Sequence, residues 1–241
     1  MHIPDGYLGP TTFITMYLIM IPIWLYAGYW VQKHLRSRQV PYLALGAAFS
    51  FVIMMFNVPV PGGSSGHAVG SALVGIILGP WAAVVTTSCA LLIQCLVFGD
   101  GGITAFGANC FNMGTVIPFV GYYLYRLIAG RSELASNRRI AAAAIGGYFG
   151  LGIAACVAGF EMGIQPILEH TASGTPLYMP YGLNITVPAM AIDHFGFFCW
   201  VELIVTGLGF AYIAKNSPEV IFDYKPKTEK KPDIPQGAAA S

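Results

Sequence analysis

Six long apolar runs, at residues 11–31, 41–57, 68–98, 109–129, 140–160 and 188–213, set the limits on what this chain can fold into. Their only charged members are Arg126, Asp193 and Glu202. A bilayer's hydrocarbon core takes about 20 apolar residues per helical span. Strands of a membrane barrel would instead alternate in polarity over roughly ten residues. The whole chain is 56% hydrophobic and 10% charged, against roughly 25% charged in a soluble domain. The expectation is an all-α integral membrane protein. A net charge of +1 gives no electrostatic footprint for nucleic acid. The five cysteines lie in apolar segments without CxxC spacing and read as small buried hydrophobes.

The basic residues decide how many times the chain crosses. They fall in three clusters: Lys33, Arg36 and Arg38; Arg126, Arg131, Arg138 and Arg139; and Lys215 with Lys225, Lys227, Lys230 and Lys231. If the run 68–98, broken by Gly79-Pro80, crosses once, the second and third clusters oppose the first. If it crosses twice, all three share one face, and the positive-inside rule selects that arrangement. The count becomes about seven transmembrane helices, with a short or re-entrant pair at 68–98. The N-terminus then lies outside and the C-terminus in the cytoplasm. A single transmembrane metal-capture domain is expected over 1–215, with a disordered cytoplasmic tail at 216–241. The N-terminus lacks a basic stretch before its first apolar run and does not read as a signal peptide.

This topology brings Met1, His2 and His67 to the outer face. A chain starting Met1-His2 offers an α-amine, the His2 amide nitrogen and imidazole Nδ1 in sequence. These nitrogens close two fused chelate rings around one ion and leave a fourth in-plane position. His67, in the Gly/Ser-rich stretch GGSSGHAVG, is the candidate to fill it. Square-planar nitrogen coordination suits Ni(II) or Cu(II). The amine and imidazoles must shed protons to bind, so affinity should fall on acidification. No catalytic or cofactor-binding residue is expected.

Three motifs then carry a resemblance: MHIPDG at 1–6, GGSSGHAVG at 62–70 followed by LGPWAAV, and GDGGITAFGANCFNMG at 99–114. Over residues 1–129, and loosely beyond, the chain resembles the substrate-capture (S) components of nickel and cobalt uptake transporters of the energy-coupling-factor type, the NikM/CbiM family. The resemblance implies a metal held by Met1, His2 and His67. It also implies a prokaryotic cytoplasmic membrane, a membrane coupling (T) subunit and separate cytoplasmic ATPases. The chain itself has no GxxxxGK[ST] loop and is expected not to be an enzyme. GHAVG is closer to the nickel branch than to the cobalt branch, which tends to carry proline after this histidine. Ni(II) is therefore the favoured substrate, with Co(II) the alternative; the site chemistry does not exclude copper. Met54 stands where relatives tend to carry glutamine, leaving open which group orients the ligating imidazoles. Ser64, Ser65, Asn57, Asn109 and Asn112 are candidates.

Glu202, inside the last span, is the costliest residue for a bilayer. It motivates a rival reading, an ion-coupled secondary metal transporter using Glu202 as its proton site. Asp193 and His194 are further candidates for ligation or ion relay, against a plain capping role. Small residues around Gly146 and Gly150 permit close helix approach, within the chain or to the coupling subunit. A membrane redox protein is a third reading, disfavoured because no spaced histidine pairs cross the spans.

Overall fold

The computed structural model describes residues 1–35, 37 and 39–224. Its helices in chain order are α1 (Pro10–His34), α2 (Val40–Met54), α3 (Ser71–Leu78), α4 (Pro80–Ile93), α5 (Phe106–Asn109), α6 (Ile117–Ala129), α7 (Asn137–Gly163), α8 (Gln165–Leu168), α9 (Leu183–Asp193) and α10 (Cys199–Asn216). Single π-helical stretches continue α4 over Gln94–Phe98, join α5 to α6 over Cys110–Val116, and join α9 to α10 over His194–Phe198. Four helical stretches among the described residues are long and apolar enough to cross a membrane: Pro10–His34, Pro80–Phe98, Asn137–Leu168 and Leu183–Asn216.

The run 68–98 is two arms, as its Gly-Pro break implies. Gly79 has a positive φ and Pro80 starts α4, so α3 stops and the chain reverses. All eight residues of α3 are buried, which is why that arm is apolar on every side. Among the described residues, one end of the bundle collects Lys33, Arg126, Arg138 and Arg139. There Phe222 N–H donates to Ile77 O (2.7 Å), Trp30 packs on Phe222, and Arg126 stands 3.6 Å from Asp223. The opposite end holds residues 1–9, where Gly9 N–H donates to Gln165 Oε1 (2.9 Å).

Two expectations change. The tail does not begin at 216: residues 218–220 form a 3₁₀ turn, and Val220 and Ile221 are buried against the basic end. Apolar side chains in an otherwise polar tail find cover there. The remainder, 225–241, lies outside the described residues. Cys89 is exposed, unlike Cys95, Cys110 and Cys199, while Cys156 is half-buried; all five thiols are free. The small-residue face of α7 is consumed within the chain, since a Cβ at Gly146 or Gly150 would press on Gly121 O or Ile117 O of α6.

Candidate metal centre

The first nine residues form a plug inserted into one end of the bundle. Met1, Ile3 and Leu8 are at most 1% exposed and His2 is 4% exposed. Such burial leaves main-chain groups that need partners, and they find them far along the chain. Ile3 exchanges two bonds with the Asn109 amide: its N–H donates to Oδ1 (2.8 Å) and its carbonyl accepts from Nδ2 (3.0 Å). Ile3 O also accepts from Gly102 N–H (2.9 Å). The Asp5 carboxylate accepts from the N–H groups of Ile103 and Thr104 and from the Thr104 hydroxyl. These bonds hold Asp5 ionised, below the usual carboxylate range, against a burial effect of opposite sign. The GDGG stretch is glycine-rich because the plug lies on it: a Cβ at Gly102 would collide with the Asp5 backbone nitrogen and carboxylate.

A short hairpin brings the second stretch to the plug. Val58–Pro59 pairs antiparallel with Ser65–Gly66, so Ser65 lands on the chain terminus. The Met1 amine donates to Ser65 O and, at 3.1 Å, to Ser65 Oγ. The His2 amide N–H donates to the same hydroxyl at 3.2 Å. Burial drives the amine's pKa from 8.0 to about 4, with Asp100 and Asp193 opposing weakly. The amine is therefore neutral at pH 7; two N–H groups bond Ser65 and a lone pair remains.

The two imidazoles lie side by side, tilted by 31°, their centroids 4.6 Å apart. Each has one nitrogen bonded and the other not. His2 Nε2 donates to Gln94 Oε1 (3.1 Å), leaving Nδ1 without a hydrogen-bond partner. His67 Nδ1 donates to Ala68 O (3.0 Å), leaving Nε2 without one. An acceptor on one ring nitrogen fixes the tautomer and puts the lone pair on the other. The His2 Nδ1–Asp100 Oδ1 separation of 3.6 Å is too long for a hydrogen bond. Because the ring is neutral, it is no ion pair either. Burial lowers the His2 pKa to about 3 and places that of His67 well below 6.5, with the adjacent amine adding to both. A buried polar atom without a partner costs about 1–3 kcal/mol. Two such nitrogens beside a third lone pair are a donor set awaiting an acceptor.

Among the described residues no three His, Cys, Asp or Glu side chains converge as a metal cluster. This donor set differs in kind, with two imidazoles and two nitrogens from the main chain. Ser65 and Asn109, both anticipated as supporting groups, touch the plug directly. Asn57 acts at one remove, donating to Asp100 (2.9 Å). Ser64 reaches only the Met190 sulfur, and Asn112 bonds Glu161 instead (2.6 Å). Gln94 went unnoticed in the sequence, although it supplies the imidazole partner that Met54 does not. Its signal was an uncharged amide alone in the apolar run 80–98, a group that burial obliges to find a partner.

The remaining candidates line the same end without joining the donor set. Asp193 Oδ2 faces Gly66, where an added Cβ would strike it. His194 is fully buried, with Nδ1 on Met190 O (2.8 Å) and Nε2 unpartnered. Glu202 is fully buried, and both its oxygens accept from the backbone at 69–70.

A chain with four helical stretches long and apolar enough to cross a membrane among its described residues, its terminus folded beside His67, has the class of a membrane protein. Comparison with known proteins agrees. Residues 2–220 match the family model "Cobalt uptake substrate-specific transmembrane region", and the chain belongs to that family. It is 47% identical over 221 residues to the fused nickel transport protein NikMN of Rhodobacter capsulatus, covering 92% of this chain and 64% of that longer relative. Two crystal structures described as a transition metal transporter, one truncated, are each 50% identical. They superpose with TM-scores of 0.84 and 0.85, covering 88% and 89% of this chain and 98% and 93% of theirs.

Proposed function

We propose that this chain is the substrate-capture subunit of an ATP-driven nickel uptake system of the energy-coupling-factor type. It would take up Ni(II) at the outer face of a prokaryotic cytoplasmic membrane. Seven spans put the N-terminus outside and the C-terminus in the cytoplasm. The in-plane ligands are the Met1 amine, the His2 amide nitrogen and Nδ1, and His67 Nε2. One observation carries the reading: His2 Nδ1 and His67 Nε2 are both buried without partners, with the neutral Met1 amine beside them. The buried chelate also explains why the plug is so heavily bonded, since a flexible terminus would lose ordering entropy on binding. A membrane coupling subunit and cytoplasmic ATPases act as partners, and this chain captures without hydrolysing ATP.

Nickel over cobalt rests on geometry, because four nitrogens in a plane suit Ni(II). Glu202 serves this reading as a backbone anchor and not as a transported-proton site. The test is equilibrium Ni(II) binding to the purified chain beside His67→Ala and a chain with an acetylated α-amine. One ion per parent chain and large losses in both variants support the proposal. Undiminished binding in both refutes it. Competition with Co(II) in the parent decides the metal.

A further inference from the structure

We infer that Glu202 is a positioning residue acting on His67 through the backbone. Its carboxylate, the Ala68–Val69 peptide and the His67 ring form one hydrogen-bonded line ending at Nε2. This rests on the reading of His67 as a metal ligand. Val69 N–H donates to Glu202 Oε2 at 2.8 Å, and Gly70 N–H to Oε2 and Oε1 at 2.9 and 3.0 Å. His67 Nδ1 donates to Ala68 O at 3.0 Å. Ala68 O and Val69 N–H are the two ends of one planar, resonance-coupled amide. A carboxyl oxygen accepting from the N–H pulls electron density toward the carbonyl oxygen. That oxygen then accepts the Nδ1 proton more strongly, and hydrogen bonds in series reinforce one another by about 10–30% each. A strong acceptor at Nδ1 fixes the tautomer and raises the basicity of Nε2, the effect carboxylates have on metal-bound histidines when bonded to the ring itself. Here one peptide unit intervenes.

The geometry of the turn is built for this. Gly70, at φ +74°, directs two successive N–H groups at α10 just before α3 begins. Those donors would otherwise be among the unsatisfied groups of a helix start. A residue that only capped α3 would leave the ring's tautomer and donor strength untouched, and this separates the two roles.

The experiment uses the full chain in lipid nanodiscs with ¹⁵N-labelled histidine. It compares the parent with Glu202→Gln, which keeps the shape and one acceptor but replaces the other acceptor with a donor, and with Glu202→Ala. In the metal-free Glu202→Gln protein the His67 Nδ1–H resonance shifts upfield, and Ni(II) affinity falls about 10-fold. The His2 Nε2–H resonance, held by Gln94, stays in place and reports an intact plug. In a His67→Ala background, Glu202→Gln has no further effect on Ni(II) affinity. An unmoved His67 resonance, an equal loss in both backgrounds, or loss of both histidine signals in Glu202→Gln overturns the inference. If His67→Ala alone leaves Ni(II) affinity intact, the metal reading fails, while the resonance comparison still decides the hydrogen-bonded line.

Discussion

Acidification from pH 7 to pH 5 distinguishes a buried, pre-deprotonated chelate from the same ligands on a flexible terminus. A group competes with the metal only while its pKa lies above the ambient pH. In the fold the amine sits at about 4, His2 at about 3 and His67 well below 6.5. The amine and His2 are proton-free across the window, and burial shifts His67 in the same direction, so these groups release few protons to the ion. The His2 amide proton must leave, which makes affinity fall tenfold per pH unit, about 100-fold in total. With ordinary values of ~8 for the amine and ~6.5 for each imidazole, the amine adds about 2 decades and each ring about 1.4, for a fall of about 10⁷-fold. Isothermal titration in buffers of different ionisation enthalpy reads both the affinity and the protons released. The account predicts about one proton per ion at pH 6, against more than about three for the flexible terminus. Hydrogen exchange at Ile3, bonded to Asn109, reports that the plug stays seated. A fall beyond about 10⁴-fold with Ile3 still protected would refute the reasoning.

Three further outcomes follow from the same contacts. Gln94→Leu frees the His2 ring to change tautomer and weakens Ni(II) binding by about 10–100-fold, measured by chelator competition. Asn109→Ala leaves both main-chain groups of Ile3 with one partner fewer. It costs about 1–3 kcal/mol of plug seating, seen as faster exchange at Ile3 with helical circular dichroism unchanged. Gly102→Ala drives a methyl into Asp5 and expels the terminus, so Ni(II) affinity falls to the level of the α-acetylated chain.

The helices were legible because a bilayer reads apolar length directly, and each run from 11–31 to 188–213 is a helix or a pair of arms. The meeting of Met1 with residue 67 was legible indirectly, through the side on which Lys33, Arg126 and Lys215 had to lie. The plug's fastening was not. The Ile3–Asn109 bonds span 106 positions, and no local periodicity encodes them. Gln94 was missed, and the partners of the buried Glu202 were not foreseen, for a related reason. A buried polar side chain must have a partner, but the sequence does not say which, and both find theirs across the bundle. The tail at 217–224 looked free because its apolar members, Val220 to Phe222, are too few to form a span and pack only once α3 is in place.

The proposed site holds Ni(II) in a plane of four nitrogens from Met1, His2 and His67. X-ray absorption of the Ni(II)-loaded parent beside His67→Ala tests it most directly. The account predicts the pre-edge feature of a square-planar ion, four nitrogen neighbours, and imidazole scattering that weakens when His67 is removed. A six-coordinate, oxygen-rich ion in the parent, or a spectrum unchanged by His67→Ala, would contradict it.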